Sequence, residues 1–290
     1  MDKVYKGYLL AILSVLFAAA APVFAKLVID ASNIETTGFF WFLSASIGSS
    51  LILFYRKRYK LVVPTLKKFP KTWIILIFLF LASYLLWLFS VKKIGPVNTD
   101  FAALIGVIYM MGLGITFLKE RFNIKEIIGS ILAILGIFII TFNPDEYLGL
   151  KIIFMLASTL IWSTSRFIIK TKIHHIEPIV FVFIRAIFIL LLLATYIIFF
   201  GEFIKISGTV LLIALIVPFF TAVLQHLTMF QAYKYCDFSK LAIITTLSPF
   251  VVILYSFALF DFIPYSYQLL GGGLIVIGVI MLKLRKTNAA

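Results

Sequence analysis

Four basic side chains stand in stretches of sequence that otherwise carry almost no charge: Lys26, Arg166, Arg185 and His226. A cation in hydrocarbon is costly, so each one asks for a partner or a purpose. Lys26 lies near the far end of the first apolar stretch, and Lys170 holds the matching place in the sixth. Both can reach lipid headgroups along their own stems. Arg166 precedes Lys170 by one helical turn and could hold an anionic group at the mouth of a site, a role that competes with snorkelling or a structural pair. Arg185 is deeper, seven residues past Pro178 and so roughly 10 Å along a helix. His226 is the only histidine within an apolar stretch; Gln225 precedes it, and Thr221 lies one turn before Gln225. A carboxylate or phosphate that leaves water needs fixed positive charge or donors in its place, and these side chains supply both.

Catalysis is not legible. There is no His-Glu-x-x-His, no phosphate-cradling glycine loop, no nucleophile with its base, and no second histidine in a stretch to pair with His226. His174 and His175 are adjacent in a connection and make a poor metal site. Asn98 and Asp100 open the fourth apolar stretch and read as helix caps. No carboxylate is expected at mid-depth in any stretch. Basic groups without a central acid favour a solute with an anionic group. No enzyme activity, cofactor or metal is expected.

The elements that must position these groups are membrane spans. Of 290 residues 63% are hydrophobic and 13% charged, against about half and a quarter in soluble domains, and mean hydropathy is +1.12. Stretches of spanning length occur ten times, at 7–29, 37–55, 72–91, 97–118 and 124–142, then 148–169, 178–200, 210–233, 241–260 and 265–284. The first is followed by no small-residue cleavage pattern and reads as a span, not a removed leader. Only the connection 56–71 has any length, which leaves no room for a soluble domain. With the N-terminus inside, 19 of the 26 Lys and Arg fall in inside segments and four outside, the bias expected of cytoplasmic loops. Both termini are therefore expected in the cytoplasm of a multi-pass plasma or inner membrane protein. The net charge of +14 then reads as basic loops facing anionic lipid, not as nucleic-acid binding. The single cysteine, Cys236, excludes an internal disulfide.

The chain also repeats. Ile127-Ile128-Gly129 continues seven residues later to Gly136, and Leu269-Leu270-Gly271 continues to Gly278. Glycines at this spacing share a helix face and let membrane helices approach closely. Five spans per half is an odd number, so the second half enters the membrane inverted, with a solute site expected at the midplane between the halves. The halves are set at 1–143 and 148–286.

The five-plus-five spans, the loop Lys119-Glu120-Arg121-Phe122, the paired glycine spans, Trp162 to Lys170, Phe181 to Ile187 and Leu247 to Pro249 together resemble the EamA-like branch of the drug/metabolite transporter superfamily. Span one keeps Lys26 but lacks the Trp-Gly usual upstream; Asp261 stands where Glu is usual, and Ser44 where the second half has Arg185. The resemblance implies a central cavity walled by spans one, three, four, six, eight and nine. That places Tyr84, Trp87, Trp162, Gln225 and His226 beside a solute, with Lys26 and Arg166 as the cations on cavity-facing spans. It implies a structural role for Arg185, as an ion pair or carbonyl clamp. Trp41 and Trp73 fit interface anchors better.

The expectation is an all-α integral membrane protein of ten helices in two inverted five-helix repeats. It would move a small organic metabolite, an amino acid or another anionic or zwitterionic solute, outward by alternating access, with the proton as the candidate coupling ion. A membrane scaffold or regulator that keeps the fold without transport is the competing expectation. The partners are the bilayer and the solute, with no nucleic acid.

Overall fold

The computed structural model describes residues 3–119, 124–141, 151–172, 174–206, 208–260 and 266–281. Among these every regular element is helical: α1 (Lys3–Asp30), α2 (Ile34–Tyr55), α3 (Val62–Lys68), α4 (Pro70–Ala103), α5 (Ile105–Leu118), α6 (Ile124–Thr141), α7 (Lys151–Lys172), α8 (Pro178–Phe200), α9 (Gly208–Pro218), α10 (Gln225–Ala232), α11 (Phe238–Thr245), α12 (Ser248–Phe260) and α13 (Ser266–Met281). Glu120, Arg121 and Phe122 of the first loop, Asp145, the 261–264 loop and the basic residues Lys283, Arg285 and Lys286 lie outside the described residues.

Seven described helical stretches are long and apolar enough to cross a membrane: 4–30, 34–55, 70–118, 153–172, 178–200, 208–232 and 238–259. The third is 49 residues long, about 74 Å at 1.5 Å per residue, far more than the ~30 Å of a hydrocarbon core. It does not run straight. Gly95 adopts φ 78° and ψ 168°, outside the helical region, and Pro96 follows with no N–H to continue the ladder. The chain turns back there, as the contacts with α7 record. Phe89 meets Phe154 and Phe80 meets Trp162 on the way in; Ala102 clusters with Met155 and Gly106 abuts Thr159 on the way out. Two of the expected apolar stretches, 72–91 and 97–118, are thus the two arms of this hairpin.

Other stretches are broken where the sequence frees backbone groups. After Pro218 the helix widens into a π-helical turn, Phe219–Leu224, before α10. The ninth stretch is interrupted at Thr246 and Leu247, just ahead of Pro249. The long connection after α2 folds into a 3-10 turn, Tyr59–Leu61, and α3. At the start of α2, Asn33 caps the helix by accepting from the Thr36 N–H at 2.8 Å.

The bundle is apolar outside, and polar side chains are set into its apolar interior. Leu51, Ile198, Phe199, Phe200 and Leu270 are exposed, while Ser14, Ser83, Ser158, Thr221 and Gln225 are buried. This is the distribution for a lipid solvent, in which apolar side chains gain nothing by hiding and helices associate through small residues and hydrogen bonds. α6 packs extensively on α13. A Cβ on Gly129 would lie 2.6 Å from the Gly278 carbonyl oxygen, so the two backbones touch. The start of α6 meets the end of α13, so the two helices run antiparallel.

Contacts in one half reappear in the other with the halves exchanged. Ser14 Oγ of α1 donates to the Gln225 carbonyl at 3.0 Å, and Ser158 Oγ of α7 donates to the Ser83 carbonyl at 2.7 Å. α1 packs on α9 to α12 as α7 packs on α4 and α5, and α2 packs on α8. The two repeats are therefore interlocked across one shared core, where α1 and α7 hold equivalent central places.

Candidate functional site

Between the repeats lies a cavity of about 220 Å³. Its walls follow from helical spacing. On α4, Phe80, Ser83, Tyr84 and Trp87 recur at the i, i+3, i+4, i+7 interval, and on α7 Met155, Ser158, Thr159, Trp162, Ser163 and Arg166 do the same, so each set forms one face. The π-helical turn and α10 present Thr221, Ala222, Gln225, His226 and Met229. The helix wall from α1 is Ser14, Val15, Ala18, Ala21 and Pro22, small enough to leave space.

Six of the seven side chains singled out in the sequence meet here: Tyr84, Trp87, Trp162, Arg166, Gln225 and His226. Lys26 does not. Its ammonium pairs with Asp30 one turn on, at 2.5 Å, and its side chain is 29% exposed at the end of the bundle. The ion pair within its own helix holds Lys26 outside the cavity wall in this structure. Lys170, its counterpart, donates instead to the carbonyls of Tyr233 and Cys236, both at 2.7 Å.

Two arginines serve the cavity. Arg166 lies over the Trp162 ring with its guanidinium carbon 5.1 Å from the centroid, and its Nε has no hydrogen-bond partner. Arg185 reaches in from α8. It is 3% exposed, donates to the Ala222 carbonyl at 3.0 Å and to His226 Nε2 at 2.5 Å, and lies over Phe80. A guanidinium has donors only, so Nε2 must accept and the imidazole is neutral with its hydrogen on Nδ1. The carbonyl clamp expected of Arg185 is present, but Arg185 also lines the cavity, and His226 holds it there.

Aromatic rings complete the walls. Trp41, Tyr84 and Trp87 form a mutual cluster with centroids 5.6 to 6.2 Å apart, and Phe42 stands edge-on to Tyr84 at 4.8 Å. Trp41 is therefore a buried wall residue and not an interface anchor. Trp73 is buried as well, with its indole N–H on the Thr65 carbonyl at 3.2 Å.

Asp100 is the main surprise. It is no helix cap. It sits within α4 past the Gly95–Pro96 corner and lines the cavity together with Ser248 of α12. The expectation of an acid-free interior is thereby corrected. The sequence did carry a signal: a carboxylate four residues past Pro96 is too far into the helix to accept from its first free N–H groups. Of nine buried side-chain polar atoms without a partner among the described residues, six belong to cavity residues: Tyr84 Oη, Asp100 Oδ2, Thr159 Oγ1, Arg166 Nε, Arg185 Nε and His226 Nδ1. Since buried polar groups are normally satisfied, their concentration marks the place where a polar solute would complete them. No group of three or more metal-ligating side chains is found among the described residues.

Apolar helices surround a cavity whose wall carries buried polar groups, and comparison with known proteins gives this arrangement a family. The profile of the EamA-like transporter family matches residues 5–142 and 149–284. The chain belongs to the EamA-like transporter family, and it is a multi-pass membrane protein. The uncharacterized inner membrane transporter YhbE of Escherichia coli (strain K12) is 28% identical over 144 residues, and its counterpart in Shigella flexneri is equally similar. That alignment takes in 48% of this chain and 43% of each relative, so the chain spans less than half the length of the curated relatives it matches. A solved crystal structure superposes with a TM-score of 0.79 over 97% of both chains at 15% identity, a likeness of fold alone.

Proposed function

We propose that the protein is a secondary transporter, of exporter type, for a small zwitterionic or anionic metabolite such as an amino acid. It crosses the membrane ten times, as two inverted five-helix repeats with both termini in the cytoplasm, and works by alternating access. The observation that carries this reading is the cavity between the repeats, with Arg166 and Arg185 in its wall and unpartnered donors around it. At about 220 Å³ it is smaller than the roughly 300–1,000 Å³ of drug-sized sites, which suits a solute of few heavy atoms. The antiparallel α6–α13 pair and the exchanged contacts of α1 and α7 favour inversion. The hairpin at Gly95 supports counting 70–118 as two spans.

Mechanistically, the arginines replace the hydration a carboxylate loses on entry. The aromatic walls exclude water and pack the remainder of the solute. Lys170, fastened to the carbonyls of Tyr233 and Cys236, ties one end of the bundle shut beside the start of α1, where Gly7 abuts Cys236. The basic segments near that end favour its being cytoplasmic.

The test is transport of a labelled amino-acid and organic-acid panel in inverted membrane vesicles, with and without a proton gradient. At least one anionic or zwitterionic solute should accumulate, and Arg166→Gln should weaken its affinity by roughly 10- to 150-fold, the value of one charged hydrogen bond of about 1.5–3 kcal/mol. Vesicles that move nothing in the panel, with the protein folded, would favour a non-transporting scaffold.

A further inference from the structure

The cavity is polarised, and its acidic pole has no assigned partner. Asp100 shares the cavity wall with Ser248, and its Oδ2 is shut from solvent without a hydrogen-bond partner. No Lys, Arg or His among the described residues forms an ion pair with it; the pairs present there are Lys26–Asp30, Lys234–Glu177 and Lys240–Asp237. The arginines lie elsewhere. The arm carrying Asp100 runs parallel to α7, with Ala102 beside Met155 and Gly106 beside Thr159. Trp162, next to which Arg185 and His226 gather, is seven residues beyond Met155, about 10 Å along the helix, and Arg166 is eleven beyond, about 16 Å. The negative pole and the positive pole thus occupy opposite ends of one small enclosed space.

We propose that Asp100 is an anchor for a protonated amine, and that the solute is a zwitterion whose ammonium and anionic groups are separated along the cavity axis. An ionised carboxylate that is buried needs a cation or donors. An ammonium has three donors and a full charge, and fits the unpartnered Oδ2. The anionic group of the same molecule then falls toward Arg185 and Arg166, so that each pole of the cavity meets a group of opposite sign. This rests on the transporter reading above and narrows it: a purely anionic metabolite would leave Asp100 unpaired and be repelled by it.

The measurement is binding to the purified full chain, read from fluorescence of the cavity tryptophans. The probes are ω-amino acids from glycine to 6-aminohexanoate, each beside the acid lacking the amine, acetate to hexanoate. At least one amino acid of the series should bind about 10- to 100-fold more tightly than its amine-free partner. Asp100→Asn should remove that preference, and the amine-free acid, no longer facing a like charge, should bind more tightly, which also shows that the variant folds. If the acids bind but no amine improves on them, or if Asp100→Asn keeps the preference, the amine anchor is refuted while the anion-handling site stands. If Asp100→Asn alters only the pH dependence of acid binding, Asp100 is a proton site and the proposal is overturned. If no probe binds at all, both readings fall together.

Discussion

Cys236 shows how one side chain reports on the closed end of the bundle. It lies in the turn between α10 and α11, is buried, and its thiol faces the Val4 carbonyl at 3.6 Å. Burial pushes the thiol up to about 12, against a smaller downward pull from Lys170. The reactive species is the thiolate. At pH 8 roughly one thiol in ten thousand would be ionised, compared with about a quarter for a free cysteine. Maleimide labelling of the native protein at pH 8 is therefore expected to be at least 100-fold slower than labelling of a free thiol. Lys170→Ala frees the carbonyls that tie this end together, and labelling should accelerate as the turn opens. Fast labelling of the native protein, unchanged by the substitution, would show that Lys170 holds nothing shut. The nearby arginine site has a similar economy: His226 is neutral because Arg185 can only donate, so its part is to hold that guanidinium rather than to meet the solute as a second cation.

Among the elements, the repeat makes Lys170 informative about its counterpart. A shift of 144 residues carries Lys26 to Lys170, and a shift of 142 carries Val91 and Ile94 to Tyr233 and Cys236. In this structure Lys170 makes the clamp and Lys26 makes only its pair with Asp30. Inverted repeats that exchange conformations should exchange this difference too. When the other end closes, Lys26 should leave Asp30 and cap the carbonyls near Val91 and Ile94, at the corner where Pro96 supplies no N–H. Val23, one turn before Lys26, clusters with Val97 there, as Phe167 meets Phe238 one residue from the mirrored place. Cysteines at positions 26 and 94, in a Cys236→Ser background, are expected to crosslink during turnover and to arrest transport; a pair that never crosslinks, while Lys26→Cys alone remains active, would contradict the exchange.

At the scale of the molecule, most of the architecture was legible because lipid forces a simple grammar: long apolar runs, freed backbone only at Pro and Gly, and small residues where helices touch. Gly129 and Gly278, one from each of the two glycine pairs, are where the backbones of α6 and α13 meet. The cavity was less legible. Tyr84, Trp162, Arg166 and His226 were reachable from charge in an apolar context and from family resemblance. The inward face of Trp41 and the placing of Lys26 outside the wall are not legible, because depth along a helix does not say which way its side chain faces. Asp100 was misjudged because the Gly95 corner, which turns it inward, depends on a backbone angle that an Ile-Gly-Pro string only hints at.

The central claim is that one cavity is reached in turn from both sides of the membrane. Thr159 is small, lies in the cavity wall and has an unpartnered hydroxyl, so Thr159→Cys in a Cys236→Ser background places a reporter there with little change in volume. In vesicles of known orientation, a membrane-impermeant thiol reagent should label this position from either side, and a transported solute should slow labelling from both. Labelling confined to one side under all conditions, with solute present or absent, would contradict alternating access and leave a binding pocket without a transport cycle.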